Sequence, residues 1–175
     1  MMIIGVDVIS QPFSGQYIEK IFDVSCPWNS ALWTWIKFTN EDLTEWCGEF
    51  RGVVKAAVIS LKYNLVLILT SDYLYKLSQI NGELLGYEDK TQYNSLTVTP
   101  MGDFIIADYY SIFIMETSST TDKKEIPSPI KMDNIKFHNW NHNKLKITCD
   151  ELLNWDYHGE AVLELDCETM ELYLM

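Results

Sequence analysis

Short apolar runs separated by tight polar turns recur along the chain. In "LTVTPMGDFIIADYYSIFI" (residues 96–114) one run ends at Met101-Gly102-Asp103, a second ends at Asp108-Tyr109-Tyr110, and a third comes after it. Upstream, "AAVISLKYNLVLILTSDYLYKL" (56–77) has the same order of parts, with turns at Tyr63-Asn64 and Ser71-Asp72. Downstream, "IKFHNWNHNKLKITCDELLNW" (135–155) repeats it, with a turn at Asn141-His142-Asn143, a second strand closing at Cys149-Asp150 and a third starting at Leu152. Runs this short, rich in Ile, Val, Leu and Tyr and bounded by Gly, Asn and Asp, read as strands. No stripe of period 3.6 runs long enough to predict a long helix.

The units recur at a fixed distance. First-strand residues Ala57, Leu96 and Ile135 lie 39 residues apart at each step. Asp72, Asp108 and Asp150 close the second strand, with spacings of 36 and 42. Several short strands per period of this length point to β-propeller blades. The stretch at 96–114 resembles the propeller repeat in which a Gly-Asp turn joins two strands, and "TSDYLYKLSQINGELLGY" (70–87) resembles another. Asn81-Gly82 is the pair a type I′ hairpin turn favours. The fold expected is therefore all-β, with antiparallel, blade-like β-meander repeats of about 39 residues, a partial or small β-propeller-like array. A plain β-sandwich with look-alike hairpins is the alternative.

The pattern predicts one β domain over 1–175, with repeats at 54–92, 93–131 and 132–175. The N-terminal part, 1–53, reads as the strands "MIIGVDVI", "QYIEKIFDV" and "ALWTWIKFT". In "TNEDLTEWCGEF", Thr39 or Asn40 could cap a short helix near 40–47 that stops at Gly48, though a turn and an edge strand would also fit. "SSTTDKKEIPSP" (118–129) reads as a polar loop.

Charge narrows the partners. The net charge is −12, and the excess sits at the two ends. Residues 1–50 hold seven Asp and Glu against two Lys, residues 51–150 are balanced, and residues 151–175 hold seven carboxylates and no Lys or Arg. Phosphate backbones and anionic membrane surfaces want cations, so neither nucleic acid nor a membrane is an expected partner; a basic protein is. Some of this charge is what any soluble surface carries. No apolar run approaches the ~20 residues that span a bilayer, and the N-terminus lacks the positive segment of a signal peptide, so the expectation is cytoplasmic. Cys26, Cys47, Cys149 and Cys167 are far apart, with no C-x-x-C pair, and read as buried thiols.

The chain shows no constellation for catalysis. It contains no G-x-x-x-x-G-K-S/T, no G-x-G-x-x-G and no G-x-S-x-G. His138 and His142 have the spacing of two metal ligands on a helix, but they fall in a predicted turn. Cys149 has histidines near it in sequence but sits in an apolar strand. No cofactor, metal or enzymatic activity is expected. The aromatics say more: six Trp and ten Tyr are many for 175 residues. Several adjoin carboxylates, and aromatic anchors rimmed by one sign of charge suit protein recognition. The candidate binding residues are Glu45, Trp46, Glu49, Asp72, Tyr73, Asp108, Tyr109, Tyr110, Glu151, Trp155 and Asp156. Each aspartate would also serve simply as a cap of its own turn.

With "WIKFTNEDLTEWCGEFRG" (35–52) followed by "VKAAVISL" and the strands after it, the chain resembles an immunity protein of bacterial contact-dependent growth-inhibition or related polymorphic-toxin systems. The resemblance implies a small cytosolic protein that binds one cognate toxin domain, typically a basic nuclease, and occludes its active site as a 1:1 complex. That class shares no fold and no catalytic residues, so no residue role is carried over. An enzyme on a propeller scaffold and a self-associating propeller fragment are the other readings.

Overall fold

The computed structural model describes residues 2–24, 26–89, 92–115, 122–153 and 156–175. They form an all-β protein of four small sheets, with no helix among the described residues. The chain divides into two compact units, Met1–Thr91 and Gln92–Met175, each built from two four-stranded sheets.

The first sheet holds β1 (Ile3–Ile9), β2 (Ile18–Phe22), β3 (Trp33–Asn40) and β4 (Glu45–Arg51) in the order β1-β3-β4-β2. β3 pairs antiparallel with both β1 and β4, whereas β2 lies parallel to β4, a pairing the sequence pattern does not announce. The residues expected to make a short helix near 40–47 make a hairpin turn instead. Asn40 N–H donates to Thr44 O at 2.9 Å, Asp42 Oδ1 accepts from Thr44 N–H at 3.1 Å, and Leu43 takes a left-handed φ of 64°. Asn and Asp close a turn as readily as they cap a helix. The strand after the turn decides between them: Trp46, Gly48 and Phe50 alternate inward with period two.

The other three sheets are antiparallel meanders in chain order. The second holds β5 (Val54–Ser60), β6 (Leu65–Thr70), β7 (Tyr73–Ser78) and β8 (Leu84–Asp89). The third holds β9 (Ser95–Val98), β10 (Phe104–Ala107), β11 (Ile112–Met115) and β12 (Lys123–Ile126). The fourth holds β13 (Met132–Asn141), β14 (Lys144–Leu153), β15 (Asp156–Asp166) and β16 (Glu171–Leu174). They match the three blade-like repeats, and Ala57, Leu96 and Ile135 each lie in the first strand of their sheet. Asn64, Gly102 and His142 occupy the equivalent turn of each, all at positive φ.

Three details differ from the expectation. Residues 123–126 of the polar loop form the outer strand β12, whose Lys-Lys-Glu sequence is what an exposed edge tolerates. β14 runs on to Leu153, so Asp150 lies within a strand opposite Glu160 rather than closing it. Asn81-Gly82 is no type I′ turn, since only Gly82 has positive φ, and Gly82 N–H donates to Ser78 O in a longer loop.

In the first unit the inward faces of both sheets share one core of Ile3, Phe22, Ile36, Phe38, Trp46 and Phe50 with Val66, Ile68, Tyr73, Tyr75 and Leu77. Rings dominate it. Phe38 stacks on Trp46 at 4.0 Å between centroids, Phe22 stacks on Phe50 at 4.7 Å, and Phe50 meets Tyr75 edge-on at 5.1 Å. Gly48 makes room for them: a Cβ there would lie 2.6 Å from Phe50 and 2.9 Å from Phe38. In the second unit Ile105, Ile112, Ile114 and Ile126 pack with Ile135, Leu145, Ile147, Leu163 and Leu165. Trp140 Nε1 donates to Thr97 Oγ1 at 3.0 Å, and Ser95 Oγ donates to Ile135 O at 3.1 Å, tying the third sheet to the fourth.

Gly48 has no positive φ, so its replacement tests packing alone. Gly48→Ala should cost about 1–3 kcal/mol in urea unfolding through overpacking. Gly86→Ala, in β8 with nothing within 4 Å of the new Cβ, should be neutral or slightly stabilising. Equal effects from the two would remove the ring stack as the source.

Candidate functional site

The outward face of the first sheet gathers aromatic and acidic side chains into rows. Strand alternation turns Asp7 and Ile9 of β1, Trp33, Trp35 and Lys37 of β3, and Glu45, Cys47, Glu49 and Arg51 of β4 to this side, with Glu19 and Ile21 of β2. The register makes three rows. Asp7, Lys37, Cys47 and Glu19 form one; Ile9, Trp35, Glu49 and Ile21 form the next; Trp33 and Arg51 form the third. Lys37 Nζ bridges Asp7 at 3.4 Å and Glu45 at 3.0 Å. Glu49 carries a raised pKa because it is partly buried and because Glu19, with which it shares a hydrogen bond, repels its charge. Beside the tryptophans lies a shallow groove of about 270 Å³, lined by Val8, Ile9, Leu32, Trp33, Trp35 and Val53 among others.

The third row leads to a polar cluster at one end of this unit. Arg51 grips Asp23 with two groups, Nη2 to Oδ2 at 2.9 Å and Nε to Oδ1 at 3.2 Å, and lies 3.6 Å over the Trp33 ring. Asp72 Oδ2 accepts from Ser30 N–H at 2.8 Å and Oδ1 from Ser71 Oγ at 2.7 Å. Burial works to raise the Asp72 pKa, but these bonds and the Arg51 charge outweigh it and hold the carboxyl below its ordinary value. Tyr73 points into the core, only 2% exposed, and its hydroxyl donates to Asn29 Oδ1. A small cavity of about 150 Å³ between Trp28, Asn29, Asp72 and Asp89 opens above it.

Of the candidate residues of this unit, Glu45 and Glu49 lie on the outward face and Asp72 at the polar end. Trp46 and Tyr73 are corrected: both are core residues, Trp46 7% exposed beneath the Lys20 ammonium, and neither is a free anchor. The signal that finds Trp33 and Trp35 instead is the alternation of "WTWIKFTN", which sends Trp, Trp and Lys to one side and Ile and Phe to the other.

In the second unit, Asp108 caps its own turn, accepting from Tyr110 N–H at 2.8 Å and Ser111 N–H at 2.7 Å. Tyr109 and Tyr110 stand exposed beside each other, with centroids 6.4 Å apart. Ser95, opposite Ala107 in the register, bonds to Ile135, which puts this turn at the same end of the unit as Glu151, the partner of Met132. Asp156 is exposed at the start of β15. Trp155 lies outside the described residues.

His138 belongs to β13 rather than to a turn, with Nε2 2.8 Å from Thr148 Oγ1, while His142 is in the turn itself. Among the described residues no three His, Cys, Asp or Glu side chains converge as metal ligands, and no helix is long and apolar enough to cross a membrane. Cys47 and Cys149 are buried, and burial, with neighbouring carboxylates, pushes each thiol up to about 11. No protein-family model matches the chain, and no curated protein matches it in sequence.

These thiols and Tyr73 predict alkaline lability. Cys47 and Cys149 rise from an ordinary 9.0 to about 11, and burial raises Tyr73 to about 12. A raised folded-state pKa means the native state favours the neutral form. Their contribution is whole below the unfolded values and is lost as pH climbs through the folded ones. Urea midpoints should therefore fall steeply between pH 9 and about 12, and Cys47→Ala should flatten the lower part of that fall. A midpoint independent of pH across that window would contradict the burial of these groups.

Proposed function

We propose that this protein is an immunity protein, which binds and neutralises a cognate basic toxin domain, a nuclease, in the cytoplasm by covering its active site in a 1:1 complex. The observation that carries the reading is the outward face of the N-terminal sheet. Trp35 shares its row with Ile9, Glu49 and Ile21, Trp33 lies one row on beside Arg51, and around them stand Asp7, Glu19, Glu45 and Asp23 with the cations Lys37 and Arg51. Such a face offers apolar area to desolvate at its centre and a negative field around it. The chain's net charge of −12 adds to that field. Nuclease domains carry Lys and Arg to hold the phosphate backbone, so an acidic face competes with their substrate for the same side chains.

Field and face play different kinetic parts. The field speeds encounter, and the gain falls as salt screens it. The desolvated rings hold the complex together.

The partner is found first by co-expression: the toxin domain encoded beside this gene should kill cells alone and be tolerated with this protein. Surface-plasmon kinetics on that pair then test the face. Glu19→Lys with Glu49→Lys should slow association by about tenfold or more at low salt. Trp35→Ala should mainly speed dissociation, by roughly thirtyfold if it is a hot spot. If neither variant changes the kinetics, this face is not the binding surface. If no neighbouring toxin is neutralised, the reading itself falls.

A further inference from the structure

The fourth sheet carries a cationic groove that an acidic binding protein does not need. It lies on the outward side of β13, β14 and β15, encloses about 520 Å³, and is lined by His138, Asn139, Lys144, Lys146, Val162 and Glu164 among others. A β-bulge makes it. Phe137 pairs with Ile147 and Trp140 with Leu145, so His138 and Asn139 together face the single residue Lys146. Bulges bend a strand and re-aim side chains, and they concentrate beside sites. Here the bend opens the groove between two strands that would otherwise lie flat.

Its charge runs against the rest of the unit. Residues 92–175 hold fourteen carboxylates and six lysines, yet Lys144 and Lys146 stand on one side of β14, two positions apart. Glu164 is the register partner of Lys146, but its Oε1 takes the Lys144 ammonium at 2.5 Å. Among the described residues Lys146 Nζ has no hydrogen-bond or ion-pair partner. Its ammonium is therefore the charge of the groove that no carboxylate occupies. Asn139 and Asn141 add amide donors, and Val162 and Met175 add an apolar wall. Pockets of this size with an apolar lining and a few convergent polar groups suit small ligands.

We propose that this groove binds a small organic anion, a molecule with a phosphate or carboxylate group on an aromatic or acyl body. Lys146 takes the oxyanion as its primary partner, Lys144 adds charge from the side, and the bulge amide Asn139 donates to a second oxygen. The apolar body lies against Val162 and Met175. Glu164 opposes binding through its own charge and by occupying Lys144. The site is independent of the toxin-binding reading, since it uses the opposite charge and other strands.

Backbone amide NMR of the full chain tests it, titrated with phenyl phosphate and, separately, benzoate, at ionic strength matched with sodium chloride. Saturable shifts confined to residues 138–146 and 162–164 are the expected result. Saturation by phenyl phosphate alone would identify phosphate as the preferred group, and by benzoate alone carboxylate. Lys146→Gln should weaken binding by about tenfold or more, the loss of a charge-assisted bond. Glu164→Gln should tighten it by about threefold or more, as a like charge is removed and Lys144 released. Lys124→Gln, on β12, should leave it unchanged. Shifts that never saturate, that chloride reproduces, or that survive Lys146→Gln undiminished would overturn the proposal.

Discussion

The stack of Phe22, Phe50, Phe38 and Trp46 on the glycine at 48 decides what β4 shows to the outside. A strand turns successive side chains to opposite faces, and a slip of one residue would exchange them all. With Trp46, Gly48 and Phe50 locked inward, Glu45, Cys47, Glu49 and Arg51 have only the other face. The same rings hold Phe22, and with it the parallel strand β2, whose Glu19 and Ile21 complete the rows. The acidic face is thus a consequence of core packing. The stack also explains why a parallel strand is accepted here: Phe22 contributes a whole ring to the core from the sheet edge.

The far end of that sheet depends on a second constraint, the left-handed residue Gly52 at φ 97°. It turns the chain from β4 into β5 where Thr34 Oγ1 donates to Gly52 O at 2.7 Å and Thr70 Oγ1 donates to Arg51 O at 2.8 Å. Tyr75 OH accepts from Arg51 N–H at 3.2 Å. The backbone of Arg51 is therefore fixed from the second sheet, while its guanidinium is fixed by Asp23 and Trp33 in the first. A lysine could not do both, since it lacks the planar fork.

Much of the architecture was legible in the sequence because its turns carry their own chemistry. Residues able to take positive φ recur at Asn64, Gly102 and His142, and the 39-residue spacing of apolar strands did the rest. What escaped has a common cause: pairing partners and faces are set by tertiary packing. Nothing local marks β2 as parallel, and "DKKEI" is polar because its strand lies at an edge. The site was read less well for a geometric reason. Glu45-Trp46 looks like a charged aromatic anchor when read as neighbours, yet neighbours on a strand point apart, so the carboxylate goes outward and the ring inward. Aromatics and acids that share a face are two apart in one strand or opposite each other across two, as Trp35 and Glu49 are. Asp72-Tyr73 divides in the same way, between a capped turn and the core.

The outward face also stores unfavourable charge. Glu49 sits partly buried within hydrogen-bonding reach of Glu19, and both effects raise its pKa. Ionising it beside Glu19 costs stability, and Lys37, the cation in the row of Glu19, is engaged with Asp7 and Glu45. The same charge spread over loops would repel less, and the reading proposed above gives the pairing a use. A Lys or Arg brought to that pair would relieve the repulsion and gain the attraction of two carboxylates, while the adjacent Trp35 and Ile21 lost water. On that reading the free protein bears a cost that the complex would remove, and the difference between the two states would favour binding.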